Sequence, residues 1–296
     1  MPDDAAARAA AEEESLFAHP AVDPDATAAY GSHPDQVIDF YAPRAGGSVP
    51  DVPDGSAPLV VVVHGGAWRA PYDRRHITPF ADFLARRGFA VAVVEYRRGT
   101  AVPAQGESPV AGRWPETFDD IAAACDALPG LVRDALPQAD PGRTVLTGHS
   151  AGGQLALWAA ARHVLPADAP WRTARPAQLR GVVALAPIAD FRIADQLDVC
   201  SGAAVQLLGG KDRFEERLPY ADPLTLLPTG IATALVQGRT DTEVPQPVAE
   251  SYAEAAARAG EVVGLTLLEE VGHYPLIDPA ADACAVVAEE IAQLAW

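Results

Sequence analysis

Ser150 lies in a glycine-rich turn, residues 148–153 (GHSAGG), between a β-prone run and a helix-prone run. A serine on such a strand-to-helix turn stands at the edge of a sheet, where its hydroxyl can act as a nucleophile. The flanking glycines permit the sharp turn without a Cβ clash. The turn therefore predicts acyl transfer through Ser150, a reaction that also needs a base, an acid to orient the base, and donors for the oxyanion.

Asp241 and His273 are the predicted acid and base. Asp241 follows a predicted strand at 233–237, and His273 follows the next predicted strand at 265–268. The carboxyl ends of parallel strands form the edge at which ligands bind. The order serine, aspartate, histidine along the chain is that of an α/β-hydrolase.

The acid has competing interpretations. Asp241 has the alternative role of capping the helix that begins near residue 245, and Glu243 or Asp278 would then supply the acid.

The base also has competitors, and His273 is favoured over them. His149 occupies the variable position of the serine turn and is predicted to point elsewhere, whereas His64 is predicted to brace its own loop. The remaining candidates are His76 and His163.

Residues 64–68 (HGGAW) follow a buried strand predicted at 59–63 and supply the remaining part. Two consecutive glycines let backbone N–H groups approach a substrate closely, which suits an oxyanion hole. An ordinary tight turn is the alternative. The predicted donors are the N–H groups of Gly65, Gly66 and Ala67, together with that of Ala151 at the start of the next helix.

The order of elements predicts an α/β fold. Apolar β-branched runs alternate with amphipathic helices, which indicates a mainly parallel, doubly wound sheet with helices on both faces. Residues 1–34 read as an acidic extension, helical or loose, with no assigned chemistry, and 35–296 as one domain. A connection rich in Gly, Pro, Asp and Ser spans 46–58, a helix beginning at 118 is predicted to close at Pro129, and a small lid insertion covers about 188–228.

Composition excludes several classes of protein. The formal net charge of −18 opposes binding to nucleic acid or to an anionic membrane surface. Three scattered cysteines argue against a disulfide framework or a zinc site. The acidic N-terminus is unlike a signal peptide, so a cytoplasmic location is expected; a homodimer is left open.

These motifs resemble those of the α/β-hydrolase superfamily, across roughly residues 37–296. The loop 64–68 resembles the HGG-x-W loop of kynurenine formamidases and related small esterases, whereas enzymes similar to hormone-sensitive lipase usually have a third glycine where this chain has Ala67. The resemblance implies a serine hydrolase without metal or organic cofactor, acting on a small-molecule ester or amide.

The predicted activity is that of a carboxylesterase or arylformamidase. The alternatives are a prolyl-oligopeptidase-like peptidase, a hydrolase that tailors a natural product, and a non-catalytic ligand-binding protein of the same fold. Peptidases of that branch commonly carry a large N-terminal propeller. The peptidase is therefore disfavoured, because fewer than 60 residues precede the strand at 59–63. The binding protein is disfavoured because all three members of a catalytic triad are present.

Overall fold

A computed structural model describes residues 2–44, 56–99 and 110–296, so most of the predicted 46–58 connection lies outside the described residues. The strands of the described chain are β1 (Ala26–Ala29), β2 (Val37–Tyr41), β3 (Ala57–Val63), β4 (Ala90–Val94), β5 (Ala139–His149), β6 (Gly181–Leu185), β7 (Thr233–Gly238) and β8 (Val263–Leu268). They form an eight-stranded sheet with the order β1-β2-β4-β3-β5-β6-β7-β8. β1 and β2 are antiparallel to their neighbours, and the remaining strands run parallel.

The central strands are buried on both faces, which explains their unbroken apolar runs. The helices are α1 (Pro2–Ala18), α2 (Thr78–Ala85), α3 (Glu116–Ala135), α4 (Ala151–Ala160), α5 (Phe191–Gln196), α6 (Ala203–Leu207), α7 (Lys211–Ala221), α8 (Pro247–Arg258) and α9 (Asp282–Ala295). In β3, Leu59, Val61 and Val63 pack into the cluster formed with α3, α4 and α8. Val60 and Val62 pack into the opposite cluster, formed with α2 and α9.

This arrangement confirms the predicted fold class, a mainly parallel sheet covered by helices on both faces. One helix boundary was wrong: α3 continues through Pro129 to Ala135. Leu128 and Val132 on either side of the proline are both buried. Packing of this apolar stripe outweighs the local preference of proline to end a helix.

The topology brings particular loops to one edge. β4 and β5 flank β3 on opposite sides, so the sheet order reverses there, and the crevice at such a switch point is the usual ligand site of these folds. The loop after β3 carries residues 64–68, the turn after β5 carries Ser150, and the loops after β7 and β8 carry Asp241 and His273.

Residues 188–228, predicted as an insertion, hold α5, α6 and α7 between β6 and β7. Their role as a lid stays a prediction. No helix within the described ranges has both the length and the apolar character that a membrane crossing requires.

Candidate active site

Ser150 joins β5 directly to α4 in a strained backbone conformation. Its φ is 59° and its ψ is −119°, a region that costs a non-glycine residue free energy. The flanking glycines are needed for space. A Cβ on Gly148 would lie 2.2 Å from the Gly152 carbonyl oxygen, and a Cβ on Gly152 would lie 2.1 Å from that of Val63. The turn therefore presses α4 against the end of β3 and presents Ser150 at the sheet edge.

Asp241 and His273 form a direct pair at the same edge. His273 Nδ1 lies 2.7 Å from Asp241 Oδ2, and both side chains are buried. This bond leaves His273 Nε2 as the ring nitrogen available to a substrate or nucleophile. His273 and Ser150 line the same pocket. Among the described residues no group hydrogen-bonds the Ser150 hydroxyl, and catalytic hydrogen bonds of this kind often tighten only when substrate binds.

The Asp241 carboxylate is held by several donors. Oδ1 accepts the backbone N–H groups of Glu243 and Val244, each at 2.8 Å. Oδ2 also accepts from Gln237 Nε2 at 3.2 Å. Asp241 thus stabilises the turn at 241–244 and orients His273. The alternative role as a helix cap was wrong, because α8 has Gln246 at its N-cap position and no side-chain capping bond. Gln237, a buried residue of β7, was not among the site residues predicted from the sequence.

The two rival acids are placed differently. Glu243 lines the pocket, but its carboxylate makes no hydrogen bond to His273. Asp278 accepts from Ser15 Oγ at 2.6 Å and lies 2.7 Å from His19 Nε2. Of the three candidate acids, the structure therefore brings only Asp241 into hydrogen-bonding contact with His273.

The groups around His273 shift the pKa of its ring. Burial alone would lower its pKa, but the charge and the hydrogen bond of Asp241 outweigh burial, and the pKa of His273 is raised above 6.5. A raised pKa suits a base that must carry a proton transiently.

His149 lies beside His273, contrary to the prediction that it points elsewhere. The two ring centroids are 4.3 Å apart, and His149 Nε2 lies 3.0 Å from the His273 carbonyl oxygen. Burial first and the neighbouring His273 second hold the pKa of His149 well below 6.5, so its ring is neutral. His149 is thus a neutral side chain that packs beside His273 and lines the pocket. Of the remaining competitors, His76 lines the pocket but its Nδ1 faces Asp73 O, and His163 Nε2 faces Thr229 O.

The loop after β3 has three consecutive residues with positive φ. These are Gly66 at 103°, Ala67 at 50° and Trp68 at 54°. Gly66 and Ala67 line the pocket with Ser150. Gly65 lies behind it, where a Cβ would meet the His149 carbonyl oxygen at 2.8 Å.

The four predicted oxyanion donors share one property. Their backbone N–H groups make no hydrogen bond to another backbone group of the described chain. They differ in position: Gly66 and Ala67 line the pocket, while Gly65 and Ala151 are buried residues next to pocket-lining ones.

His64 fixes this loop from below. Its Nε2 lies 2.9 Å from Glu95 Oε1 and its Nδ1 lies 2.8 Å from the Gly65 carbonyl oxygen. The Tyr96 ring stacks on the imidazole at 4.4 Å, and the Tyr96 hydroxyl donates to the His64 carbonyl oxygen. His64 therefore braces its own loop, as predicted, and its fully buried ring does not reach the pocket.

The pocket is small, with a volume of about 190 Å³. A group of aromatic side chains lines one part of it, here called the aromatic rim: Phe17, Tyr72, His76 and Tyr274. The lining also includes the polar or apolar side chains of Leu16, Arg69, Cys200, Ser201, Glu243 and Ile277. Phe17 lies 6.4 Å from the rings of Tyr72 and Tyr274 and 6.2 Å from that of His76. Such a rim suits a small acyl or aryl group.

Helix α1 contributes to the site, although no chemistry was assigned to residues 1–34. Leu16 and Phe17 line the pocket, and Glu12 bonds to Gly272, the residue before His273. That contact spans 260 positions in sequence, so no local pattern pointed to it. In the part of the chain that the structure covers, no cluster of three or more His, Cys, Asp or Glu side chains is arranged to hold a metal ion.

The chain is similar to known esterases. The BD-FAE family profile matches residues 48–255, more than two thirds of the chain. Esterase B from Lactobacillus rhamnosis, inhibited by a tributyrin phosphonate, shares 18% identity and a TM-score of 0.73, covering 99% of this chain and 94% of that one. A truncated carbohydrate esterase from gut microbiota shares 17% identity and a TM-score of 0.70, covering 94% and 99% of the two chains.

A third similar structure is esterase Est2 from Thermogutta terrifontis with propionate bound. It shares 20% identity and a TM-score of 0.62, covering 90% of this chain and 92% of that one. At these identities the likeness supports the α/β-hydrolase fold. No curated protein sequence matches this chain.

Proposed function

This chain belongs to the BD-FAE family, and from that premise we propose that it is a serine carboxylesterase acting through an acyl-enzyme on Ser150. One observation carries the proposal: the paired Asp241 and His273 share a pocket with a serine held on a strained turn. Nucleophile, base and orienting acid are the parts that acyl transfer requires. A non-catalytic binding protein would have no need of this paired base.

The first chemical step is acylation of Ser150. His273 Nε2 accepts the serine proton as Oγ attacks the ester carbonyl carbon, while Asp241 holds the proton on Nδ1 and stabilises the imidazolium. The N–H groups of Gly66 and Ala67, with that of Ala151, would stabilise the negative charge on the carbonyl oxygen. Their fixed positions spare the cost of reorganisation during the reaction. Collapse of the intermediate expels the alcohol, which takes the proton from His273.

The second step is deacylation. Water enters at the position of the departed alcohol and gives a proton to His273 as it attacks the acyl carbon. The carboxylic acid then leaves, Ser150 regains its proton, and the enzyme is restored.

The proposed substrates are esters with a short acyl or small aryl group. A cavity of about 190 Å³ is below the range of typical drug-sized ligand sites. Two of the similar esterases were captured with a tributyrin phosphonate and with propionate, both small-chain species. Formamide cleavage stays a narrower possibility, based on the resemblance of the loop 64–68 to that of kynurenine formamidases.

The test is hydrolysis of p-nitrophenyl acetate and butyrate beside N-formylkynurenine. Ser150→Ala should lower kcat/KM on the order of 10⁶-fold, whereas Ser32→Ala, an exposed serine outside the site, should leave it unchanged. A phosphonate ester should add covalently to the Ser150 peptide, as read by mass spectrometry. Activity that survives in Ser150→Ala would refute the proposal, and a preference for the formamide over both esters would reassign the substrate class.

A further inference from the structure

Glu12 of helix α1 lies directly on the loop that carries His273. Its Oε1 accepts the Gly272 N–H at 3.0 Å. Contact is so close that a Cβ on Gly272 would lie 2.0 Å from Glu12 Oε2. The residue immediately before the proposed base is therefore held by a side chain from the other end of the chain.

The same helix, together with His19 just after its end, holds the chain on the other side of His273. Ser15 Oγ donates to Asp278 Oδ2 at 2.6 Å, and His19 Nε2 lies 2.7 Å from Asp278 Oδ1. Leu16 between them is buried, with 2% of its surface exposed. Helix α1 thus fixes both ends of the segment 272–278, within which His273 must keep its orientation.

The second oxygen of Glu12 has an unusual environment. Oε2 is buried and has no hydrogen-bond partner. Burial raises the pKa of Glu12, and the Gly272 N–H partly opposes that rise. Leaving a buried carboxylate oxygen unpaired costs free energy, so a purely structural acceptor would be served better by a neutral side chain. Its negative charge, however, acts on His273 and favours the protonated ring.

We propose that Glu12 is a positioning residue for His273, holding the histidine loop through the Gly272 N–H and adding to the negative field that stabilises the imidazolium. The proposal rests on the proposed function, because it assigns Glu12 a part in acyl transfer. Glu12 acts through His273 and touches neither substrate nor the reacting atoms.

Other charged groups also act on His273 and must stay constant in any test. Asp241 and Glu243, from the loop after β7, raise its pKa more strongly than Glu12 does. His149, at the end of β5, is the neighbouring titratable ring. Substitutions at Glu12 leave these three groups in place, so a change in titration can be assigned to Glu12.

The kinetic test compares Glu12→Ala and Glu12→Gln with the same changes at Glu14, an exposed residue of the same helix. Glu12→Ala removes the bond and should lower kcat about tenfold, because small displacements of a catalytic group are costly, with KM changed less than about twofold. Glu12→Gln keeps an acceptor for the Gly272 N–H and should restore kcat to within about twofold. Both Glu14 variants should match the parent protein.

A second readout does not depend on esterase activity. In protein labelled with ¹⁵N-histidine, the His273 ring is titrated by NMR and assigned from its loss in His273→Gln. The midpoint should move to lower pH in both Glu12 variants, because each removes a negative charge, and should stay fixed in both Glu14 variants. If the parent protein hydrolysed no ester, the proposed function would fail while this titration still tested Glu12.

Two results would overturn the proposal. One is a His273 midpoint that is the same in the parent protein and both Glu12 variants. The other is a kcat for Glu12→Ala equal to that of Glu14→Ala. Circular dichroism melting of each variant guards against loss of folded protein, and Glu12→Gln keeps the test decisive if Glu12→Ala fails to fold.

Discussion

The turn at Ser150 and the loop at His273 are built in different ways. The Ser150 turn takes its shape from a short stretch: β5 ends at His149, α4 begins at Ala151, and Gly148 packs on Gly152, with Gly152 also close to Val63 of β3. The His273 loop is held by distant partners, with Asp241 32 positions away, His149 124 away and Glu12 260 away. A motif can encode the first arrangement, whereas only the assembled fold can create the second.

The two regions thus control different properties of the site. The first controls the position of the nucleophile Ser150, and the second controls the pKa of the base His273. Space is the main constraint on the serine turn, since side chains are excluded at Gly148 and Gly152. Charge and hydrogen bonding decide the histidine loop, since burial and carboxylates shift the pKa of His273 in opposite directions. Substitutions of the glycines in the first region should therefore act on folding, and those in the second region on turnover and its pH dependence.

Among the residues that surround the nucleophile, the largest effect is expected for the acid that pairs with His273. Asp241→Asn should lower kcat on the order of 10⁴-fold, because the amide no longer holds the productive tautomer or stabilises the imidazolium. The melting temperature should change little, since the amide oxygen still accepts from Glu243 N and Val244 N. Steady-state kinetics and a thermal melt measure both.

The rival acid provides the comparison for that variant. Glu243→Gln should cost less than about tenfold in kcat, because Glu243 acts on His273 only through its charge. A larger loss in Glu243→Gln than in Asp241→Asn would transfer the role of the acid to Glu243.

A side chain added at a glycine of the Ser150 turn should lower the stability of the folded protein. Gly152→Ala places a methyl group 2.1 Å from the Val63 carbonyl oxygen and 2.4 Å from that of His64. Backbone atoms of a central strand cannot yield cheaply, so the free energy of unfolding should fall by about 3 kcal/mol or more in urea titrations.

Gly130 offers a matched control for the same chemical change. It lies in the exposed part of α3, where nothing is within 4 Å of the added Cβ. Gly130→Ala should raise the free energy of unfolding by about 0.5–1 kcal/mol, because alanine is the better helix residue. Equal effects of the two substitutions would refute the steric account of the turn.

The pH profile tests the electrostatics of the His273 loop. Catalysis needs neutral His273, and its pKa in the fold is raised above 6.5, mainly by Asp241 against the opposing effect of burial. Activity should therefore decline as pH falls, with the acidic midpoint of kcat/KM above 6.5. In Asp241→Asn the midpoint should lie at lower pH. A midpoint unaffected by this substitution would contradict the pairing.

The smallest effect, a change in KM, is expected for the aromatic residue Phe17 at the rim of the pocket. Phe17 is 45% exposed and lies near three other rings. Phe17→Ala should raise KM for p-nitrophenyl acetate about threefold, while KM for ethyl acetate should change less, since one aromatic contact contributes about 0.5–1.5 kcal/mol. Val262→Ala, an exposed apolar residue outside the pocket, is the control. Equal changes for both esters would exclude an aromatic contact from Phe17 to the leaving group.

Most of the sheet could be predicted because its signals are local. The apolar runs at β3 and β4 are continuous, since both faces of these strands are covered. The short edge strand β1 was missed: Ala26–Ala29 alternates between intermediate and exposed positions and has no apolar run to mark it. The helix end predicted at Pro129 was wrong because the packing of α3 overrides the local preference of proline to end a helix.

The sequence by itself determined the serine turn, the strand ends that carry Asp241 and His273, and the glycine loop after β3. Periodicity and turn chemistry encode these over a few residues. Only the tertiary structure decided that α1 covers the His273 loop, that Gln237 steadies Asp241, and that His149 stands beside His273. These contacts join residues from separate elements, and their energies arise only after the sheet and helices have buried their apolar faces.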